Sequence, residues 1–439
     1  MRKLIGAVIT SGVVVASAFA TNGDNMIGVS PASRAMGGLG TGICLEPTDS
    51  IFRNPGWLAR QEGFNISFGG ILFLPHVKAR SKGFFDTDDA TPGGVVPTDT
   101  GYVTSDADTF TIPEIAITNQ INDKVVIGLG AYGVSGMGVD YRSKQLMLGP
   151  DGKYHNGLGK MHTSLQFMRI VPAIGYKVNN KLAIGGALHL AWGSLDLGAE
   201  MAYDRDGDGV PGTFWNAGGG QSQAYGIGAS VGLNYKPVSN VCLGAYYQSS
   251  VKMKYKNVFD SNNDGKFEDL KLEQPQEASI GIGWRPIPEL KVGLDVRWIN
   301  WSDADGYKQF KWDDQIVVAV GGEYMVTPRL ALRAGYNYGK SPIKDEDNLN
   351  VANANRIPDF AAPFPDYNIA WFNLVGFPAI TEHHITFGFG YHFTAHFTVN
   401  ASYVHAFEKK VESTAMGGAL VAGAKNAQDS IAFSLDWNF

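Results

Sequence analysis

Charge is scarce in this chain and favours neither sign strongly. Lys and Arg number 36 against 42 Asp and Glu in 439 residues, a net charge of −6 with charged residues at 18%. Such a balance gives no basic footprint for a nucleic-acid backbone. Long apolar runs are also missing. After the first twenty residues no continuous stretch approaches the ~20 apolar residues that a membrane-spanning helix needs, so a helical membrane protein is excluded. Cysteine is nearly absent: Cys44 and Cys242 are the only two.

Glycine and aromatic residues are plentiful, at 55 residues and 12%; average glycine use is about 7%. Residues 1–20, "MRKLIGAVITSGVVVASAFA", place Arg2 and Lys3 before an apolar run that ends in Ala18-Phe19-Ala20. A positive start, an apolar core and a small-x-small end predict a secretory signal peptide, with the mature chain beginning near Thr21.

The chain finishes on "IAFSLDWNF", where Ile431, Phe433, Leu435, Trp437 and Phe439 alternate with small or polar residues. A period of two puts the apolar set on one face of a β-strand. In water such a strand would be an aggregation hazard; it suits a wall with lipid on one side and a polar lumen on the other. The same alternation recurs in "EASIGIGWRP", "LKVGLDVRW" and "HITFGFGYHF". Charge falls on the face that would look inward.

Connections between these segments alternate between short and long. Short ones lie at 122–124, 179–181, 237–240, 286–289, 327–328 and 394–396. Long ones lie near 80–108, 140–161, 196–220, 257–273, 303–314, 341–380 and 410–426. Short periplasmic turns opposite long extracellular loops are expected of an outer-membrane barrel, and seven long loops with six short turns give fourteen strands. A secreted sandwich would carry a Lys- and Glu-rich wet face, whereas the polar face here is largely Gly, Ser and Asn. The expected fold is therefore all-β, a 14-stranded antiparallel transmembrane β-barrel spanning 63–439. Residues 21–62 do not alternate and precede the first strand, read as 64–74. A barrel of this size leaves a hole, and this segment is the available plug, an N-terminal hatch.

Three motifs point elsewhere. "GYNYGKS" (335–341) ends like a phosphate-binding loop but has one residue too few between its glycines. "MHTS" sets His162 two residues before Ser164, as in some outer-membrane lipid hydrolases, but no third group that would orient the His is assignable. Two loops resemble the first half of a calcium site: Asp204, Asp206 and Asp208, and Asp260, Asn262, Asp264 and Glu268. In both the bidentate Glu at position twelve is missing, with Trp215 and Lys271 in its place, and these residue types are also good turn formers.

The order of signal peptide, Gly/Ala-rich segment, "SIFRNPGWLA" (50–59) and barrel resembles the FadL family of outer-membrane transporters for long-chain fatty acids and aromatic hydrocarbons. The runs 274–303, 318–343 and 387–407 resemble it too. The resemblance implies a hatch meeting the wall at an Asn-Pro-Ala turn, here Asn54, Pro55 and Gly56. It also implies a kinked third strand that opens sideways to the membrane; Gly130, Gly133, Gly136 and Gly138 would permit the break. The implied activity is passive uptake of hydrophobic small molecules, with no enzymatic step and no cofactor beyond calcium in the loops. A structural or adhesive barrel and a hydrophilic porin are the alternatives.

Lumen-facing parity then picks out Arg169, His189, Asp295, Arg297, Glu323 and Arg333, whose cations either receive a carboxylate head group or pair with the acids across the lumen. Met26, Ile27, Ile43, Leu45, Ile51 and Phe52 are candidates for an apolar tail pocket. Trp371 and Phe372, in an unusually apolar loop, either capture ligand or pack over the mouth. Cys242 points inward by the same parity, so a Cys44–Cys242 disulfide from hatch to wall is expected, against two unrelated buried thiols. Expected partners are the hydrophobic substrate, outer-membrane lipids and the barrel assembly machinery, engaged through Phe439, for a monomer of the Gram-negative outer membrane.

Overall fold

The computed structural model describes residues 21–86, 95–144, 147–148, 154–203 and 213–439; the expected signal peptide lies outside them. Fourteen long strands form the wall. In chain order they are β1 (Phe64–Asp86), β2 (Phe110–Gln120), β3 (Val125–Asp140), β4 (His162–Lys177), β5 (Leu182–Gly198), β6 (Ser222–Val238) and β7 (Val241–Gln248). They continue with β8 (Glu277–Ile287), β9 (Leu290–Ile299), β10 (Gln315–Thr327), β11 (Leu330–Gly339), β12 (His383–His392), β13 (Phe397–Ala415) and β14 (Leu420–Asn438). Each pairs antiparallel with the next. β14 closes on β1 from Val421↔Lys82 to Asn438↔Asn65.

Alternation produces the two faces. On β6, Tyr225, Ile227, Val231 and Leu233 are 39–75% exposed, while Ala224, Ser230 and Asn234 on the opposite face are buried. Phe68, Ile115, Leu129, Ile174, Leu188, Ile280, Ile316, Leu332, Phe389 and Phe433 continue an exposed apolar belt around the wall, the lipid-facing surface of a transmembrane barrel. The six short turns fall where the sequence placed them.

One long loop is not a loop. Residues 410–426 belong mostly to β13 and β14, joined by a turn at 416–419, and β1 runs on to Asp86, into the start of another expected loop. These extensions rise beyond the lipid belt, so no apolar face marks them. Their outward residues instead form ion pairs, Lys410 with Glu412 at 2.7 Å and Arg80 with Asp99 at 2.6 Å. Six long connections and this tight turn therefore stand on the extracellular side.

Residues 21–60 lie inside the wall, almost all of them buried. They contain a hairpin of Thr21–Asn22 with Asn25–Met26, short helices at Pro31–Ala35 and Asp49–Phe52, and a 3-10 helix at Pro55–Arg60. Glycines on the inner face of the wall let hatch backbone touch strand backbone directly. A Cβ on Gly244 would overlap the Thr41 carbonyl oxygen, and one on Gly335 would strike the Met36–Gly37 peptide.

Candidate functional site

The hatch is fixed by caps and by a carboxylate. Ser30 accepts a hydrogen bond from the Ser33 amide at 3.0 Å and donates to Asp49 at 2.6 Å, starting the first helix and tying it to the second. Asn54 caps the 3-10 helix through the Gly56 amide at 2.9 Å, with Pro55 in the first helical position. Its Nδ2 reaches both the Thr41 carbonyl, at 2.9 Å, and the Leu233 carbonyl of β6, at 3.0 Å. From β9, the buried Asp295 carboxylate accepts three consecutive hatch amides, Gly40 at 2.9 Å, Thr41 at 2.8 Å and Gly42 at 2.9 Å. Successive N–H groups turned to one anion form a nest.

Two groups of lumen charges pair among themselves. Glu277 holds Arg53 at 3.5 Å and Arg297 at 3.4 Å, and accepts from Asn25 of the hatch at 2.8 Å. Glu323 holds Arg333 at 2.7 Å and Lys291 at 2.6 Å. Arg169 differs. It is buried, its Nη1 donates to His189 Nδ1 at 3.1 Å and to Gln248 Oε1 at 2.5 Å, and its guanidinium lies 5.2 Å from the centre of the Phe167 ring. Among the described residues it has no ion pair, and its Nε has no partner. His189 passes the contact on to Ser230 at 3.0 Å.

The ladder of the wall breaks at β3. From Tyr132 to Val139 every residue is buried, so this half of the strand has left the lipid surface. Its ladder with β2 ends at Glu114↔Tyr132, although β2 stays paired to β1 as far as Phe110↔Phe73. On its other edge β3 follows β4 throughout, with Val134 left over between the Met168↔Gly133 and Phe167↔Ser135 pairs. An extra residue in one strand bends it, and Pro113 removes an N–H donor from β2 where β3 departs. The gap is bounded above by Ser105 and Asp106, each bonded to Asp140 at 2.9 Å. From inside, the hatch hairpin fills it: Asn25 bridges Ser135, and the Gly136 amide donates to the Asp24 carbonyl at 3.2 Å. A cavity of about 20 Å³ remains between Thr21, Pro75, Val77, Gly136, Met137 and Gly138, among others. Another of about 10 Å³ separates Thr41 and Arg53 from Asp295 and Arg297. Neither holds more than a water molecule.

Residues 7–360 match the family described as outer membrane protein transport protein (OMPP1/FadL/TodX). The chain belongs to this family. An outer-membrane protein of Neisseria meningitidis serogroup B is 21% identical over 406 residues, 81% of this chain and 80% of its own length. A FadL homologue of Pseudomonas aeruginosa has the same fold at a TM-score of 0.70 and 16% identity, over 95% of this chain and all of that one. The toluene transporters TodX of Pseudomonas putida and TbuX of Ralstonia pickettii follow at 0.66 and 0.62, with 19% and 17% identity. Each alignment spans 94% of this chain and covers 99% and 98% of the respective transporter. The protein is an outer-membrane β-barrel of the FadL/TodX type.

Where this FadL/TodX member carries Asn54-Pro55-Gly56 for the expected Asn-Pro-Ala turn, the reason is contact. A Cβ on Gly56 would lie 2.6 Å from the Leu233 carbonyl carbon. Of the four glycines expected at the break, Gly133, Gly136 and Gly138 lie in the segment that has left β2. Gly130 is still paired, with Ala116, below the gap. The six apolar hatch residues do not form one pocket. Met26 and Ile27 pack on Ile71, Phe73, Phe110 and Ile112. Ile43 and Leu45 sit with Met36 and Leu39, and Ile51 and Phe52 with Leu58 and Tyr132. Phe372 is buried and stacks on Phe310 at 5.3 Å, packing over the mouth; half-buried Trp371 donates to Ser81 at 3.1 Å.

The expected disulfide is absent. Cys44 and Cys242 are free thiols. Cys242 does face inward, but it lies among Lys236, Arg60 and Arg285 at the periplasmic rim, whereas Cys44 donates to the Glu46 carbonyl at 3.3 Å and accepts from Gln61 at 3.6 Å. In the loop at 260–268 the acidic side chains accept backbone amides. Asp260 accepts the Asn262, Asp264 and Gly265 amides, and Glu268 the Ser261 amide. No group of three or more metal-ligating side chains occurs among the described residues. Asp204, Asp206 and Asp208 lie outside them. His162 Nε2 is 3.8 Å from Asp196, and no hydrogen bond joins it to Ser164 among the described residues. Val134, Asn25 and Ser135 went unremarked in the sequence, although Pro113 inside an otherwise regular strand was a signal for the break.

Asp295→Ala orphans three buried amides and removes the charge they share, which is expected to weaken hatch docking by about 3 kcal/mol or more. Trypsin should then cleave the folded barrel after Arg53 or Arg60, sites that resist in the parent protein. Burial pushes the Asp24 carboxyl up to about 7, Asp49 up to about 6 and Glu46 well above the usual carboxylate range. The docked hatch therefore binds more protons than the released one from about pH 4 to pH 7, and its stability falls as pH rises through that window. The thermal midpoint followed by tryptophan fluorescence in detergent should be higher at pH 5 than at pH 8.

Proposed function

We propose that this protein takes up hydrophobic small molecules, long-chain fatty acids or hydrocarbons, passively across the outer membrane. Solute enters under the extracellular aromatic cap, passes the hatch and leaves sideways through the gap between β2 and β3. The carrying observation is that gap, a break in the wall beginning at Tyr132 and filled from inside by a hairpin rather than by a strand. Transfer of an acyl chain out of water gains ~0.8 kcal/mol per CH₂. Delivery into the periplasm would forfeit this gain; delivery into the bilayer keeps it, and no energy source or chemical step is required. Deleting Val134 removes the residue that bends β3, and uptake of labelled oleate and toluene by cells should fall at least tenfold with the barrel still folded. Unchanged uptake would place the exit elsewhere.

Arg169 favours a substrate with a carboxylate head over a neutral hydrocarbon, since its guanidinium meets only neutral groups and lies beside the large apolar cluster containing Phe167, Leu165 and Val251. A charge-assisted bond contributes about 1.5–3 kcal/mol, so Arg169→Gln should weaken fatty-acid binding roughly 10- to 100-fold and leave toluene binding unchanged. The small cavities around the hatch favour a second reading, a barrel that acts only through its loops. Absence of saturable binding of either ligand by the purified protein would decide for it.

A further inference from the structure

The hairpin that fills the gap is held at its tip by an extracellular loop. Its arms are tied to the wall, Asn22 to Arg297 at 2.6 Å and to Asn337 at 2.9 Å, and Asn25 to Glu277 at 2.8 Å. The tip is different. Gly23, at φ +61°, lies flat on the Trp301 indole, where a Cβ would come 2.6 Å from a ring carbon. The Asp24 carboxylate, fully buried, bonds the Tyr307 hydroxyl through one oxygen, while the other oxygen has no partner. Among the described residues no cation pairs with Asp24; Tyr307 makes its shortest side-chain contact, and the Ser135 and Gln274 side chains lie beside the carboxylate.

Trp301 and Tyr307 belong to the connection between β9 and β10, and they form a tight trio with Trp312, at ring separations of 4.6, 5.2 and 4.8 Å. Trp312 donates to Asn373 at 3.1 Å, and Asn373 donates to the Phe310 carbonyl at 2.7 Å. Phe310 stacks on Phe372 of the cap. A continuous packed path therefore runs from the apolar cap over the mouth to the hairpin in the wall.

We infer that Tyr307 is the gating residue of this transporter: its bond to Asp24 latches the hairpin into the gap, and a solute that parts the cap aromatics shifts Tyr307 and frees the hairpin. This rests on the lateral-exit reading above but is read out without any ligand. A carboxylate left in an apolar site without its donor is costly, so losing the hydroxyl should loosen the tip selectively. The test is hydrogen–deuterium exchange on the purified full-length protein above pH 8, where Asp24 is ionised, comparing the parent with Tyr307→Phe. Amides of residues 21–26 should exchange about tenfold faster in the variant, and amides of residues 31–60 at the parent rate. Tyr255→Phe is the matched control, because Tyr255 is equally buried near Asp24 and its hydroxyl bonds nothing; it should leave exchange unchanged. Unchanged exchange at 21–26 in Tyr307→Phe overturns the latch, and so does a rise spread evenly over the hatch or the same rise in the Tyr255 control. An uptake failure with tip-specific exchange intact would count against the transport reading and not against the contact.

Discussion

A hatch with little regular structure can sit inside a β-barrel only if its backbone amides find partners there, and the Asp295 carboxylate supplies the central set. Three successive amides converge on one buried anion at 2.8 to 2.9 Å. The opposing position on β8 is Gly281, where a Cβ would collide with that carboxylate. Glycine content, lumen polarity and hatch conformation are in this sense one constraint. The wall gives up side chains where the hatch gives up secondary structure, and the remaining polar groups must match.

The same constraint shapes the charges. Arg53, Arg297 and Arg333 each find a wall carboxylate. Arg34 and Arg169 are satisfied by neutral groups alone, Arg34 by the Gly28 carbonyl and the Ser430 hydroxyl, Arg169 by His189 and Gln248. The break in β3 follows a parallel logic: part of the backbone released from β2 is taken up by the hatch hairpin at Ser135 and Gly136.

Fold and boundaries were legible because alternation along each strand reports lipid on one side, and because turn length reports which end faces the periplasm. That signal stops where the lipid stops. The upper parts of β1, β13 and β14 therefore read as loop, their faces carrying Lys410, Glu412 and Arg80 instead of Phe and Ile. Inward parity was also legible, and placed Arg169, Asp295 and Cys242 on the lumen side. Partnership within the lumen was not, since parity gives direction without height or azimuth. Cys44 of the hatch and inward-facing Cys242 lie in different neighbourhoods, and six apolar hatch residues meant for one pocket separate into three clusters. The gap was foreshadowed by glycines, yet Pro113 and Val134 determine where the ladder ends.

The long hairpin of β13 and β14 has a further consequence. At ~3.3 Å per residue, its two 19-residue strands extend well beyond the 9–11 residues a tilted strand needs to cross the hydrocarbon. Roughly half of each strand thus stands in the hydrated headgroup layer. A rigid column through it carries part of the connection between β11 and β12 with it, since Glu346 and Leu349 pair with Ser413 and Ala415 near its top.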